Sequence, residues 1–190
     1  MNDPLFVSYY TPDYAEMGEA LRASLDALGL DHRVAPTPSL GSWDRNVREK
    51  PAFLLRILRE NPGRRIVWVD ADAVVRVTPA LFWTTEADVA VPEIRYPRGG
   101  SSHLIGTLFL SGSEACREFV SRWLALTRAC PPQHRIGAQE FFDRTVLERP
   151  KASVEILPPS YAFIADVHGP LGIEPVIEHF QASRRLRGKP

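Results

Sequence analysis

The chain has 190 residues, with 23 Lys and Arg against 23 Asp and Glu, so its formal net charge is zero. That balance gives no overall field for nucleic acid or an anionic membrane surface. With 44% hydrophobic residues, two cysteines and no apolar run approaching the ~20 residues of a spanning helix, a disordered chain, a disulfide framework and a helical membrane span are excluded.

The length suits one domain, residues 1–190, ending in a basic tail from 183 to 190. Met1-Asn2-Asp3-Pro4 is not a basic leader, and a cytoplasmic location is the expectation. In chain order, Leu5 to Tyr9 reads as a strand. Tyr14 to Leu28 reads as a helix with Met17, Leu21, Ser24, Leu25 and Leu28 on one stripe and Asp13 as its cap. His32 to Ala35 is a short strand, and Pro36 to Asn46 a loop. Pro51 to Asn61 is a helix with proline in its first turn. Arg65 to Ala71 is a strand, as are Asp88 to Val91 and Leu104 to Leu110, with a loop from Arg95 to Ser102. Ser113 can cap a helix carrying Cys116, Phe119, Val120, Trp123 and Leu124 on one face. Cys116 reads as a buried thiol. Gly137 to Leu147 is a further helix, and Val154 to Leu157 and Val176 to Phe180 are late strands. Strands alternating with helices predict an α/β fold with a mostly parallel central sheet flanked by helices.

The run Ile66-Val67-Trp68-Val69-Asp70-Ala71-Asp72 carries the chemistry. Four apolar residues lead straight into two carboxylates. A buried strand has no use for unpaired charge, which is costly to desolvate. At alternate positions the two side chains share a face, so Asp70 and Asp72 can converge on one hard cation, Mn²⁺ or Mg²⁺, at the sheet's carboxyl end. Such a cation serves phosphate chemistry. His179, placed at the end of a short apolar strand, is a third metal ligand of a suitable type.

The strand-Asp-x-Asp, with the late pair His179-Phe180, resembles the nucleotide-sugar glycosyltransferases of the GT-A fold. The nearest pattern is the glycogenin and lipopolysaccharide galactosyl- and glucosyltransferase family. Other segments agree in order. Phe6-Val7-Ser8-Tyr9-Tyr10-Thr11 is similar to the first strand and nucleotide-binding loop. Lys50 resembles the lysine on the helix before the Asp-x-Asp strand. Gly106-Thr107-Leu108-Phe109-Leu110-Ser111 resembles the strand lining the donor sugar. Ala138-Gln139-Glu140 and Ile156-Leu157-Pro158-Pro159-Ser160-Tyr161 resemble two later motifs. Two departures stand out: Ala138 replaces an aspartate, and the last motif loses its glycine and carries Arg185 in place of a lysine.

The resemblance implies a metal-dependent transfer of a sugar from a nucleoside diphosphate, with UDP as carrier and retention of configuration. Asp70, Asp72 and His179 would hold the metal. Ser8, Tyr9, Tyr10, Thr11, Ala71, Gly106 and Thr107 would line the donor. Lys50 and Arg185 would add positive charge at the diphosphate. Gln139 and Asp72 would act at the reacting centre. The acceptor stays open: a glycan, a lipid-linked sugar, a protein or a modified nucleic-acid base. Two rivals also use Asp70 and Asp72 or do without turnover: a haloacid-dehalogenase-like phosphatase, with Asp70 as nucleophile, and a nucleotide-sugar-binding protein. A nucleotidyltransferase would need a glycine-rich loop after the first strand, and Ser8 to Asp13 has none.

Overall fold

The computed structural model describes residues 3–96, 99–131, 137–148 and 151–182. The chain opens with β1 (Leu5–Tyr10), a 3₁₀ turn, α1 (Ala15–Ala27), β2 (His32–Pro36), α2 (Trp43–Arg48) and α3 (Lys50–Glu60). There follow β3 (Ile66–Val69), β4 (Ala73–Val75), α4 (Leu81–Thr84), β5 (Val89–Arg95), β6 (Ser101–His103) and β7 (Thr107–Leu110). The remainder is α5 (Glu114–Ala129), α6 (Ala138–Leu147), β8 (Val154–Leu157), α7 (Ala165–His168) and β9 (Ile177–His179).

Period-two alternation sorts the strands into two buried layers. Leu5, Val7, Ile66, Trp68, Leu108 and Leu110 face a core made with α3, α5 and α6. Phe6, Val67, Val69 and Phe109 face the opposite core, where Leu21 and Leu25 of α1 and Phe82 of α4 pack. The predicted helical face of α5 is buried as expected, and Ser113 Oγ accepts from Cys116 N at its start. Cys116 is buried, and burial pushes its thiol up to about 11.

The sheet is α/β in its layering and mixed in its pairing. β2, β1 and β3 run parallel. β7 is antiparallel to both β3 and β5, and β8 returns parallel to β5 on its other side. β5 and β6 form a hairpin where a loop was expected. Separate from this sheet, β4 and β9 pair antiparallel, with Ala73 opposite His179.

Several boundaries shift. Asp13 does not cap α1. It lies in the 3₁₀ turn headed by Thr11, and Tyr14 precedes the helix without a side-chain cap bond. The loop after β2 contains α2, whose cap Ser42 accepts from Arg45 N. β3 stops at Val69, so Asp70 and Asp72 sit on a tight turn, not on the strand itself. Among the described residues no helix is long and apolar enough to cross a membrane.

Candidate functional site

The β3–β4 turn delivers both carboxylates to a cleft at the carboxyl ends of β1 and β3, where open α/β sheets bind ligands. The cleft has two lobes that share Trp43, Val47, Lys50, Asp70 and Asp72. The smaller, of about 110 Å³, is bordered by Tyr9, Tyr10, Thr11, Asn46 and Ala71. The larger, of about 380 Å³, is bordered by Gly106, Gln139, Glu140, His179 and Gln181.

Asp70 is held from one side only. Lys50 Nζ and Trp68 Nε1 both donate to Asp70 Oδ1, each at 2.7 Å. Lys50 is buried, 4.9 Å above the Trp68 ring, and also donates to the Ile105 carbonyl at 2.9 Å. Trp68 and Asp70 are two apart, which lets the indole reach the carboxylate. Both bonds go to Oδ1, and Asp70 borders both lobes of the cleft.

His179 is buried at the end of β9, with Nε2 2.9 Å from Thr107 Oγ1. In the tautomer whose Nε2–H donates to Thr107, Nδ1 keeps its lone pair. Burial holds the imidazole below its ordinary value, against the pull of Asp70 and Asp72. Gly106 keeps the space between these groups open. A Cβ there would lie 3.0 Å from His179 Nδ1 and 3.4 Å from Asp70 Oδ2. His179 Nδ1 and Asp70 Oδ2 therefore both border the space over Gly106, where a side chain would crowd them. Gly106 O also accepts from Asp70 N, at 2.7 Å, which fixes the turn.

Asp72 Oδ2 accepts from Ala182 N at 2.8 Å, and its carbonyl accepts from Phe180 N. Burial, and then the neighbouring Asp70, push the Asp72 carboxyl up. Between these two bonds, Gln181 takes φ of 53°, a left-handed backbone that costs a non-glycine residue energy. Among the described residues no group of three or more His, Cys, Asp or Glu side chains stands arranged to hold a metal ion. Asp70, Asp72 and His179 are neighbours, with one Asp72 oxygen engaged elsewhere.

The other predicted residues divide. Ser8 is buried inside β1 and borders neither lobe. The Tyr9 ring packs between Phe53 and Trp68, each 5.1 Å away, and its hydroxyl donates to Asn46 O. Burial, with Asp70 and Glu49 nearby, pushes that hydroxyl far up. Tyr10 lies flat on Gly18, with a Cβ there only 2.2 Å from the ring, and donates to Glu19 Oε1. Both tyrosines are thus anchored where they border the smaller lobe. Thr107 touches His179 and lies behind the cleft wall. Gln139 Nε2 donates to Ser102 Oγ at 2.8 Å. Arg185 lies outside the described residues. Trp68, Ser102 and Gln181 were not anticipated. For Trp68 alone a signal existed, its same-face spacing from Asp70.

No protein-family model matches this chain, and no curated protein does. Solved structures match in shape. A glycosyltransferase involved in glycosylation of the major capsid of PBCV-1 superposes with a TM-score of 0.73 at 13% identity, over 98% of this chain and 96% of that one. The glycosyltransferase GlyE of Streptococcus pneumoniae TIGR4 gives 0.65 at 15% identity, over 95% of this chain and 55% of its own. The galactosyltransferase LgtC, in complex with donor and acceptor sugar analogues, gives 0.62 at 11% identity, over 93% and 87%. The chain has the GT-A-like fold of these glycosyltransferases, and spans about half the length of the GlyE chain.

Proposed function

We propose that this chain is a metal-dependent glycosyltransferase that moves a sugar from a nucleoside diphosphate, UDP, to an acceptor with retention of configuration. The observation that carries the reading is the meeting of Asp70 Oδ2 and His179 Nδ1 across the space that Gly106 keeps open, beside Asp72, in a glycosyltransferase fold. Two carboxylates there face one lysine and an imidazole that burial keeps neutral, which leaves room for a cation's charge. The donor set of carboxylate oxygen and imidazole nitrogen suits Mn²⁺ or Mg²⁺. Asp70, Asp72 and His179 would hold the ion, with Asp72 offering the oxygen that Ala182 does not engage. When bound, it supplies Lewis-acid neutralisation of the departing diphosphate.

The chain's own groups do the rest. Lys50 and Trp68 lock the orientation of Asp70. The sequence placed Lys50 against the diphosphate; buried on Asp70, it acts through that carboxylate instead. Tyr9, Tyr10, Thr11 and Ala71 border the lobe for the nucleoside. Gly106 and Gln139 border the lobe for the sugar. The bond between the anomeric carbon and the β-phosphate oxygen breaks, and its electron pair leaves with UDP. The acceptor oxygen bonds to the same carbon, and its proton passes to the departing diphosphate. The acceptor oxygen belongs to a glycan, a lipid-linked sugar, a protein or a modified nucleic-acid base, and the reaction takes place in the cytoplasm.

A panel of UDP-hexoses incubated with Mn²⁺ tests this reading. The expected result is metal-dependent release of UDP by the wild type and none by Asp70→Asn, with NMR of the product reporting retained configuration. A wild type that neither turns over any nucleotide sugar nor binds UDP would overturn it.

A further inference from the structure

Beside the larger lobe stands a polar network that the metal site does not use. Gln139 and Asp143 are four apart on α6 and so project from one face of that helix. Both reach Ser102 on β6. Ser102 Oγ donates to Asp143 Oδ2 at 2.6 Å, and Gln139 Nε2 donates to Ser102 Oγ at 2.8 Å. Asp143 Oδ1 accepts from His103 N at 3.1 Å and lies 2.6 Å from His103 Nδ1, whose ring packs edge-on against Phe142. Burial opposes the Asp143 charge, but bonds from the His103 ring, Ser102 and the His103 backbone together hold its carboxyl below the usual range.

Proton counting fixes the direction of this chain of bonds. An ionised Asp143 can only accept. The one hydroxyl proton of Ser102 is therefore given to Asp143, and Ser102 can only accept from Gln139. That requires the amide nitrogen of Gln139, not its oxygen, to face Ser102. Gln139 Oε1 then has no hydrogen-bond partner among the described residues, on a side chain that lines the cleft with Gly106 and His179.

We propose that Asp143 and Ser102 are positioning residues that present Gln139 Oε1 to the anomeric carbon of the donor sugar. Bonds in series polarise one another, so a carboxylate at the far end strengthens donation by the amide N–H. Donation from nitrogen drives amide electron density onto oxygen. The relay thus aims a fixed, electron-rich oxygen at the carbon where positive charge develops as the bond to diphosphate breaks. No carboxylate is needed at position 138, which agrees with the alanine found there.

This inference rests on the transferase reading, and the test separates the two. Ser102→Ala, Ser102→Thr, Gln139→Ala and the double variant Ser102→Ala/Gln139→Ala are assayed for UDP-hexose turnover, alongside Mn²⁺-dependent UDP binding. Ser102→Ala should lower kcat about tenfold, the effect of roughly one charge-assisted hydrogen bond, with KM and UDP affinity unchanged. Ser102→Thr, which keeps the hydroxyl, should restore it. In the Gln139→Ala background the loss of Ser102 should cost nothing further. A side-chain amide resonance of Gln139 that shifts in Ser102→Ala, and returns in Ser102→Thr, would show the relay without any assay. Losses that multiply, a loss confined to KM, or an unmoved amide resonance would overturn the relay while UDP binding stood. Failure of the wild type to bind UDP at all would overturn the transferase reading and the relay with it.

Discussion

At the scale of single residues, Lys50 changes its meaning most between sequence and structure. Its position twenty residues before Asp70 marked it as basic and relevant, but the alternative was a solvated helix lysine. Burial at 4% exposure, with Asp70 and a carbonyl as partners, excludes that alternative. The partner was not legible, because a contact between a helix start and a turn depends on how the two pack. Removing one member of a fully buried pair costs about 3–5 kcal/mol; Asp70 is 36% exposed on its side chain, which reduces the expected loss to roughly 1–3 kcal/mol. Lys50→Met keeps the stem and deletes the charge. It should lower the stability of the metal-free protein by that amount, and Mn²⁺ should restore much of the loss by supplying positive charge to Asp70. Urea titrations with and without Mn²⁺ check this, and an equal loss in both would remove the metal from the argument.

Among the elements, the helices α1, α3, α5 and α6 and the strand β8 were legible, because each carries its periodicity over its own length. The Asp-x-Asp strand was read two residues too far at its carboxyl end and one too early at its start, since alternation alone does not mark where pairing stops. β4 is only three residues long and pairs with β9 near the chain's end, so nothing local announces it. The antiparallel run of β7 did have a signal. Parallel neighbours need a crossover of a dozen or more residues, and the described residues of the short stretch between β5 and β7 carry no helix.

One aspartate joins several of these elements. Asp88, just ahead of β5, accepts from Ser113 Oγ at the start of α5 and from the N–H and hydroxyl of Ser153 ahead of β8. Slight burial opposes its charge, but the bonds from Ser113, Ser153 and Ser111 prevail and hold the carboxyl below its ordinary 3.8. Its contribution to stability is therefore whole above that value and is lost as pH falls through the lower folded value. Asp88→Asn should cost on the order of 2 kcal/mol at neutral pH, the worth of a hydrogen bond to a charged group. The gap between variant and wild type should narrow once pH falls below about 4. Urea midpoints across that range decide it. A gap independent of pH would show that the shape of the clamp matters and its charge does not.

Across the whole molecule, the site draws on both ends of the chain. Asp72 bonds Ala182, 110 residues away, and β9 reaches the cleft only by pairing with β4. The two aspartates were legible because their strand is local and its charges have no structural excuse. His179 was legible as a residue type at a strand end. The close approach of its ring to Gly106 was not, since a glycine's close approach is set by the fold. A ligand that binds the carboxylates and the imidazole together would tie the β3–β4 turn to the last strand. UDP with Mn²⁺, each near a hundred times its dissociation constant, should add ~2.7 kcal/mol to the folded state. For a chain of this size that is a rise of roughly 5–10 °C in Tm, in one cooperative transition and larger than with UDP or Mn²⁺ alone. Amide exchange should slow at Ile177 to Ala182 as well as at Asp70 to Ala73, because the bound state holds both. A rise in Tm with protection confined to the first lobe, around Tyr9 to Thr11, would show a nucleotide site that does without His179. No rise with any nucleoside diphosphate would leave the fold without its proposed chemistry.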